Sequence, residues 1–240
     1  MTSNGENGAR QIPACAEAGL EAVNFSVFGT TPAELAQVQH ARFQSSKRAT
    51  VKIEALGEAM NACTEHGNKA NANIVVLDHT HIDRVHRLLD TYTPELSVRL
   101  LNSLDHGQTS LEAIDELLAQ RGAVAEAQYL TAGASGARTS YRIDSGRRRI
   151  YVKWIRPVRL PTTCAGCRFD NDTDCQEGFY GLRLYRDQRG RDLVGVCLQR
   201  MDLCQTVEGF LADPLSAETR DLRRTDRARL ENDHRALLSP

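Results

Sequence analysis

Over the first 125 positions, apolar residues follow two rhythms: short runs of β-forming residues, and longer stretches with an apolar residue every three or four positions. The first rhythm predicts strands and the second predicts helices. Val23-Asn24-Phe25-Ser26-Val27-Phe28 reads as a strand closed by Gly29, and Thr31-Pro32-Ala33-Glu34 opens a helix with an N-cap and a proline at its first position. The next helix is expected over 51–65, with Ile53, Leu56, Met60 and Cys63 at helical spacing. His66-Gly67 ends it before a strand over 70–77. A third unit repeats the order: a helix over 82–89, a strand over 96–101, and Thr109-Ser110-Leu111-Glu112 as a capping box opening a helix that ends near 120. Strands alternating with helices in this way predict β/α units and a parallel sheet.

Past residue 126 the rhythm changes. Segments 128–130, 139–143 and 149–156 read as extended, paired strands, with Asp144-Ser145-Gly146 as a hairpin turn. A cysteine-rich loop follows, low in regular structure and holding the turn-prone Asp170-Asn171-Asp172-Thr173-Asp174. The stretch 217–238 carries dense opposite charges and reads as a solvated helix. The chain thus divides into an α/β part over 1–125, an extension over 126–215 and a charged helix over 216–240.

The chain has 240 residues, 41% hydrophobic and 25% charged, with a formal net charge of -1. No basic excess points to nucleic acid, and no aromatic residues are interleaved with the C-terminal charges. The N-terminus is polar and no stretch is apolar enough to span a bilayer, which predicts a cytoplasmic protein without membrane association. Three small motifs read as structural. Asp78-His79-Thr80-His81-Ile82-Asp83 sits where a strand passes into a helix, with Thr80 or His81 starting that helix. Gly133-Ala134-Ser135-Gly136 lacks the lysine of a phosphate loop and reads as a flexible turn, and Arg147-Arg148-Arg149 as a solvated hairpin edge.

The cysteines carry more information. Seven are present, of which Cys164, Cys167, Cys175, Cys197 and Cys204 crowd into one segment. In a reducing compartment such crowding indicates thiolate ligation of a metal rather than disulfides. The pair Cys164-x2-Cys167 places two sulfurs on one turn, and the remaining ligands come from distant positions. Structural zinc sites usually carry two such paired knuckles. A single pair with separate further cysteines favours an iron-sulfur cluster over zinc. Cys204 lies in an apolar pattern with Met201, Leu203 and Val207, and is the first to set aside.

Several segments resemble the radical S-adenosylmethionine enzymes related to the GTP 3',8-cyclase of molybdenum cofactor biosynthesis. Thr2-Ser3-Asn4-Gly5 is similar to that family's Thr-Thr-Asn-Gly strand end, and Ala18-Gly19-Leu20-Glu21-Ala22-Val23-Asn24-Phe25-Ser26-Val27 to its "AGLdrVNvSLD" strand. The segment 98–107 resembles its "VRFIEYMPxG" strand. Cys164 to Cys197, with Gly181-Leu182-Arg183-Leu184 and Val196-Cys197-Leu198, resembles its C-terminal "C-x2-C-x-R-x-R-L … CL" segment.

The resemblance implies a partial (β/α) barrel and a C-terminal extension that binds an auxiliary [4Fe-4S] cluster. It assigns Cys164, Cys167 and Cys197 to that cluster, with Cys175 as a fourth ligand or a substitute, and Arg183 to its substrate side. It also implies that Ser26 contacts S-adenosylmethionine and that Thr2 or Ser3 approaches a small-molecule substrate. The family's Cys-x3-Cys-x2-Cys and Gly-Gly-Glu segments are not in these 240 residues. The resemblance therefore begins at the Thr-Asn-Gly strand and implies a barrel short of its opening strands. Such a barrel would expose a strand edge to a partner chain or a second copy. Ala72 near the place of the family's substrate lysine, and Leu104 at that of its methionine, imply a substrate other than GTP, either another nucleotide or a natural-product intermediate.

Overall fold

In the computed structural model, residues 1–39, 44–171 and 173–238 are described, the side chains of 234–238 excepted. The chain forms two compact units. The first comprises 1–128 and 139–153, and the second 129–138 and 154–240. The expected boundary at 125/126 falls near the end of the first stretch, after which residues 139–153 rejoin the first unit.

The first unit is α/β. Its elements are β1 (Thr2–Ser3), α1 (Gly8–Glu17), β2 (Ala22–Val27), α2 (Pro32–Val38), α3 (Ser46–Glu65), β3 (Lys69–Val76), α4 (Ile82–Thr91), β4 (Ser97–Asn102) and α5 (Gly107–Gln120). Then come β5 (Val124–Leu130), β6 (Gly136–Ile143) and β7 (Arg148–Ile155), giving one seven-stranded sheet of order β1-β2-β3-β4-β7-β6-β5. The pairs β1–β2, β2–β3, β3–β4 and β4–β7 are all parallel.

Local sequence explains the boundaries. Thr31 Oγ1 accepts the Glu34 N–H while Glu34 reaches back to the Thr31 N–H, so α2 starts at Pro32 as its sequence predicts. Gly67, at φ 70°, ends α3 in the left-handed region that glycine enters at least cost. The α3 start moves to Ser46, because Ser45 Oγ accepts the Arg48 N–H. The expected capping box at Thr109–Glu112 does not form, since α5 already begins at Gly107. Ser110 is instead fully buried; its hydroxyl donates to the Val76 carbonyl at 2.6 Å and accepts the Ser103 N–H at 2.9 Å.

The arginine triplet also departs from expectation. Arg149 pairs with Glu126 at the surface, but Arg148 is only 5% exposed and donates to the carbonyls of Leu89, Tyr92 and Thr93 at the end of α4. It satisfies acceptors that a helix C-terminus leaves open. His81 stands at the N-cap of α4, as expected, without a side-chain capping bond, and Asp78 caps the turn before it by accepting the Thr80 N–H at 2.8 Å.

The core lies where helices cover the sheet: Val23, Phe25 and Val27 of β2, Ala72, Ile74 and Val76 of β3, and Val98 and Leu100 of β4 meet Ile12, Met60, Val85, Leu88 and Ile114. Burying each large side chain contributes about 1.5–3 kcal/mol.

The second unit contains β8 (Arg183–Arg186), β9 (Asp192–Gly195) and β10 (Gln205–Thr206) in a small antiparallel sheet, then α6 (Val207–Ala212) and α7 (Pro214–Leu238). Its core is Leu160, Phe179, Val194, Val196, Phe210 and Leu215. The turn 133–136, expected to be flexible, is packed. Ser135 is fully buried and donates to the Phe179 carbonyl, and a Cβ at Gly133 would stand 2.5 Å from Arg223 Cα. One face of α7 is likewise buried rather than solvated, because Asp226 accepts the Gly133 N–H at 2.7 Å and pairs with Arg156 at 2.6 Å. Arg156 above all, then the Gly133 amide and Arg229, hold the Asp226 carboxyl far below the usual carboxylate range.

Asp226→Asn leaves Arg156 buried without its counter-charge and is expected to cost the second unit about 3–5 kcal/mol in urea unfolding. Because the folded-state pKa is depressed, the wild-type contribution is intact above the unfolded carboxylate pKa and is lost only as pH falls below it. A variant within error of wild type would remove this pair as the anchor of α7.

Candidate functional site

Two places hold chemistry, one in each unit. In the first unit, period-two alternation sends one set of strand residues toward the helices and the other to the opposite face. Parallel register aligns the second set into rows. Thr2, Asn24, Asn71 and Ser97 form one row, and Ser26, Asn73, Arg99 and Tyr151 the next, with Lys153 beside Leu101 one step further on. Arg99 Nη1 donates to Asn24 Oδ1 at 3.0 Å across the intervening strand.

This face is polar and carries no carboxylate on β2, β3, β4 or β7, whereas parallel sheets are usually apolar on both sides. Its amides, hydroxyls and cations, among them Arg99 and Lys153, suit a polar, anionic ligand. The alternation Asn24/Ser26, Asn71/Asn73 and Ser97/Arg99 was the available signal, and reading the strands only for their apolar content passes over it.

Ser26 belongs to this face and also lines a cavity of about 250 Å³ with Asn4, Phe28, Gly29, Gln39 and Leu56, at the carboxyl ends of β1 and β2. Open α/β sheets bind ligands at that end. The two N-terminal candidates separate. Thr2 is exposed in register with Asn24, while Ser3 aligns with buried Phe25 and its Oγ accepts the Gly5 N–H at 3.0 Å. Ala72 points into the helix-covered core, and Lys69 is exposed at the start of β3.

In the second unit, four of the five clustered cysteines line one cavity. Cys164, Cys167, Cys175 and Cys197 are each half-buried there, among Leu160, Phe169, Phe179, Val196 and Leu203. Successive turns build the loop. The Cys167 N–H donates to the Cys164 carbonyl at 3.0 Å, with Gly166 between them at φ 69°. Asn171 Oδ1 accepts the Thr173 and Asp174 N–H groups, so the expected turn forms around Asn171; Asp172 lies outside the described residues. Cys204 is not among the lining residues, and its Sγ is 2.9 Å from where a Cβ at Gly195 would lie.

Two arginines border the cavity. Arg159 pairs with Asp170 at 2.5 Å and donates to the Cys175 carbonyl, and Arg200 pairs with Asp202 at 2.7 Å. Asp202 first and then Cys167 hold the Arg200 guanidinium above its ordinary range. Burial pushes the Cys164 thiol up, which keeps it protonated at neutral pH.

The cavity is small, about 20 Å³, or room for about one water. Among the described residues, no three Cys, His, Asp or Glu side chains converge at metal-bonding distance. The four thiols that line the pocket are soft donors by chemistry, but they are not gathered at bonding distance around one point. Arg183 does not line this cavity; its guanidinium lies 5.5 Å from the Tyr180 ring centre and 3.9 Å from Glu177. Among the described residues, no helix is long and apolar enough to cross a membrane.

No family model and no curated protein matches this chain.

Gly178, at φ 65°, fixes the loop's return, and a Cβ there would overlap the Val158 carbonyl and the Arg159 guanidinium. Gly178→Ala is expected to cost about 2 kcal/mol or more and to release the loop. Limited trypsinolysis should then cut after Arg159 and Arg168 at least tenfold faster than in wild type, while the first unit stays intact. An unchanged cleavage pattern would show that the loop does not need this turn.

Proposed function

We propose that this protein is of the radical S-adenosylmethionine type, related to the GTP 3',8-cyclase class, and that its second unit binds an auxiliary [4Fe-4S] cluster. The observation that carries the reading is the lining of one pocket by Cys164, Cys167, Cys175 and Cys197, with Cys204 outside that lining. Cys164, Cys167 and Cys197 are the ligands that the resemblance assigns, and Cys175, which lines the same pocket, is the proposed fourth or a substitute. Bound through three thiolates, such a cluster supplies an iron open to substrate; a fourth thiolate closes it.

The polar sheet face is the proposed substrate surface. Arg99 and Lys153 offer positive charge to a nucleotide or another anionic intermediate, while Asn24, Asn71 and Asn73 offer amide donors and acceptors. Ser26, in the cavity above β2, is the proposed contact to S-adenosylmethionine. Since the Cys-x3-Cys-x2-Cys segment that cleaves this cofactor is not in these residues, the radical-forming step is not assigned to any residue of this chain. The competing reading is a noncatalytic protein that binds zinc or iron-sulfur, supported by the same four thiols.

Anaerobic reconstitution with iron and sulfide decides the cofactor. Wild type is expected to hold about four iron and four sulfide per chain and to turn brown. Cys164→Ala with Cys167→Ala should abolish the colour, and Cys204→Ala should retain it. Stoichiometric zinc that iron and sulfide do not displace would overturn the iron-sulfur assignment.

For the sheet face, calorimetric titration with a panel of nucleoside phosphates should identify a ligand whose affinity drops about tenfold or more in Arg99→Met, the loss of one charge-assisted contact. Wild-type binding that is indifferent to Arg99→Met and Lys153→Met would move the substrate off this face.

A further inference from the structure

Strand β5 forms one edge of the seven-stranded sheet, with β6 on one side and no strand on the other among the described residues. All seven residues of Val124–Leu130 are exposed, so among the described residues neither helix nor loop covers that edge. Long edges are usually blunted by lysine, proline, a bulge or an inward charge. Val124-Ala125-Glu126-Ala127-Gln128-Tyr129-Leu130 contains no lysine, proline or glycine. Its one charge is matched within its own sheet, where Arg142 and Arg149 each meet Glu126 at 2.6 Å.

The backbone direction is fixed by one contact. The Ala127 carbonyl accepts Ser140 Oγ at 3.3 Å and therefore faces β6. Alternation along the strand then turns the backbone groups of Val124, Glu126, Gln128 and Leu130 toward the open edge. We infer that β5 pairs antiparallel with β5 of a second copy of this chain, about a twofold axis through Ala127, joining two seven-stranded sheets into one.

The sequence is self-complementary in this register. Val124 lies opposite the partner's Leu130, Ala125 opposite the partner's Tyr129, and Glu126 opposite the partner's Gln128. All four outward-facing residues of each strand then form hydrogen-bonded pairs. A one-residue slip sets outward groups against inward ones. Moving the axis to Glu126 places two carboxylates opposite each other, and moving it to Gln128 leaves Val124 and Ala125 unpaired. A twofold contact that repeats its own surface closes at two copies. The inference is independent of any bound cluster.

Sedimentation velocity over about 1–200 µM should show association to twice the 26.6 kDa of one chain. The expected dissociation constant is on the order of 10 µM, as befits a small interface. Gln128→Pro removes an outward N–H without touching the groups that face β6, a position where edge strands tolerate proline. It should weaken association at least tenfold with unchanged circular dichroism.

Ala127→Cys reads the register. The axis places two side chains of a non-hydrogen-bonded pair about 4.5–5.5 Å apart, so mild oxidation should link two chains at position 127, as seen by peptide mapping. Wild type that stays at single-chain mass throughout would overturn the proposal. So would a dimer whose dissociation constant is unchanged by Gln128→Pro, or one that carries no link at position 127.

Discussion

A parallel strand hydrogen-bonded on both sides has no freedom to choose which residues face which way; the period of two decides. In the first unit this constraint fixes everything else. Because Val23, Phe25 and Val27 must meet α1 and α3, Asn24 and Ser26 must lie on the other face, and the same holds for Asn71 and Asn73 against Ala72 and Ile74. A shift of one residue in register would exchange the two sets and bury four polar side chains among the helices. The apolar core and the polar face are thus two readings of one alternation, and neither can drift without the other.

Much of this order could be read from residue types alone, because the relevant physics is local. The N-cap at Thr31 with Pro32 after it and the stop at His66-Gly67 act within a few residues, and the structure has both where the sequence puts them. What misled was any segment whose role is set by a distant partner. Ser110 looks like a cap by spacing, yet its hydroxyl is used 34 residues away at the Val76 carbonyl. Arg148 looks solvated beside Arg147 and Arg149, but the open carbonyls at the end of α4 draw it inward. The turn 133–136 looks loose until Asp226, far along the chain, fastens its amide. The small sheet of β8, β9 and β10 was also missed, since strands of two to four residues leave almost no periodic signal. At the cysteines, the apolar pattern around Cys204 already sets it apart in the sequence, and the fold lines one pocket with the other four.

The second unit lacks the long strands that stabilise the first, and its cysteine loop has little regular structure of its own. Polar anchors replace a ladder. Ser135 ties the loop's start and return together by donating to the Phe179 carbonyl and accepting the Val158 N–H. Glu218 on α7 receives the amides of Thr162 and Thr163 just before Cys164. Arg159 spans the loop from Asp170 to the Cys175 carbonyl. These anchors hold the backbone beside Cys164 and Cys175 by contacts that are not themselves between sulfurs.

Charge then limits what the pocket can hold. Its two bordering cations are already matched, Arg159 by Asp170 and Arg200 by Asp202. Ionising four thiols among Leu160, Phe169, Phe179 and Val196 would place uncompensated negative charge in an apolar setting, and burial already resists this at Cys164. Each of the two arginines is thus shared between a carboxylate and the cysteine loop, Arg159 through the Cys175 carbonyl and Arg200 through Cys167. A metal bound at these thiols would bring the positive charge that the pocket's own residues do not spare, and its ligation would release protons and add free energy to folding.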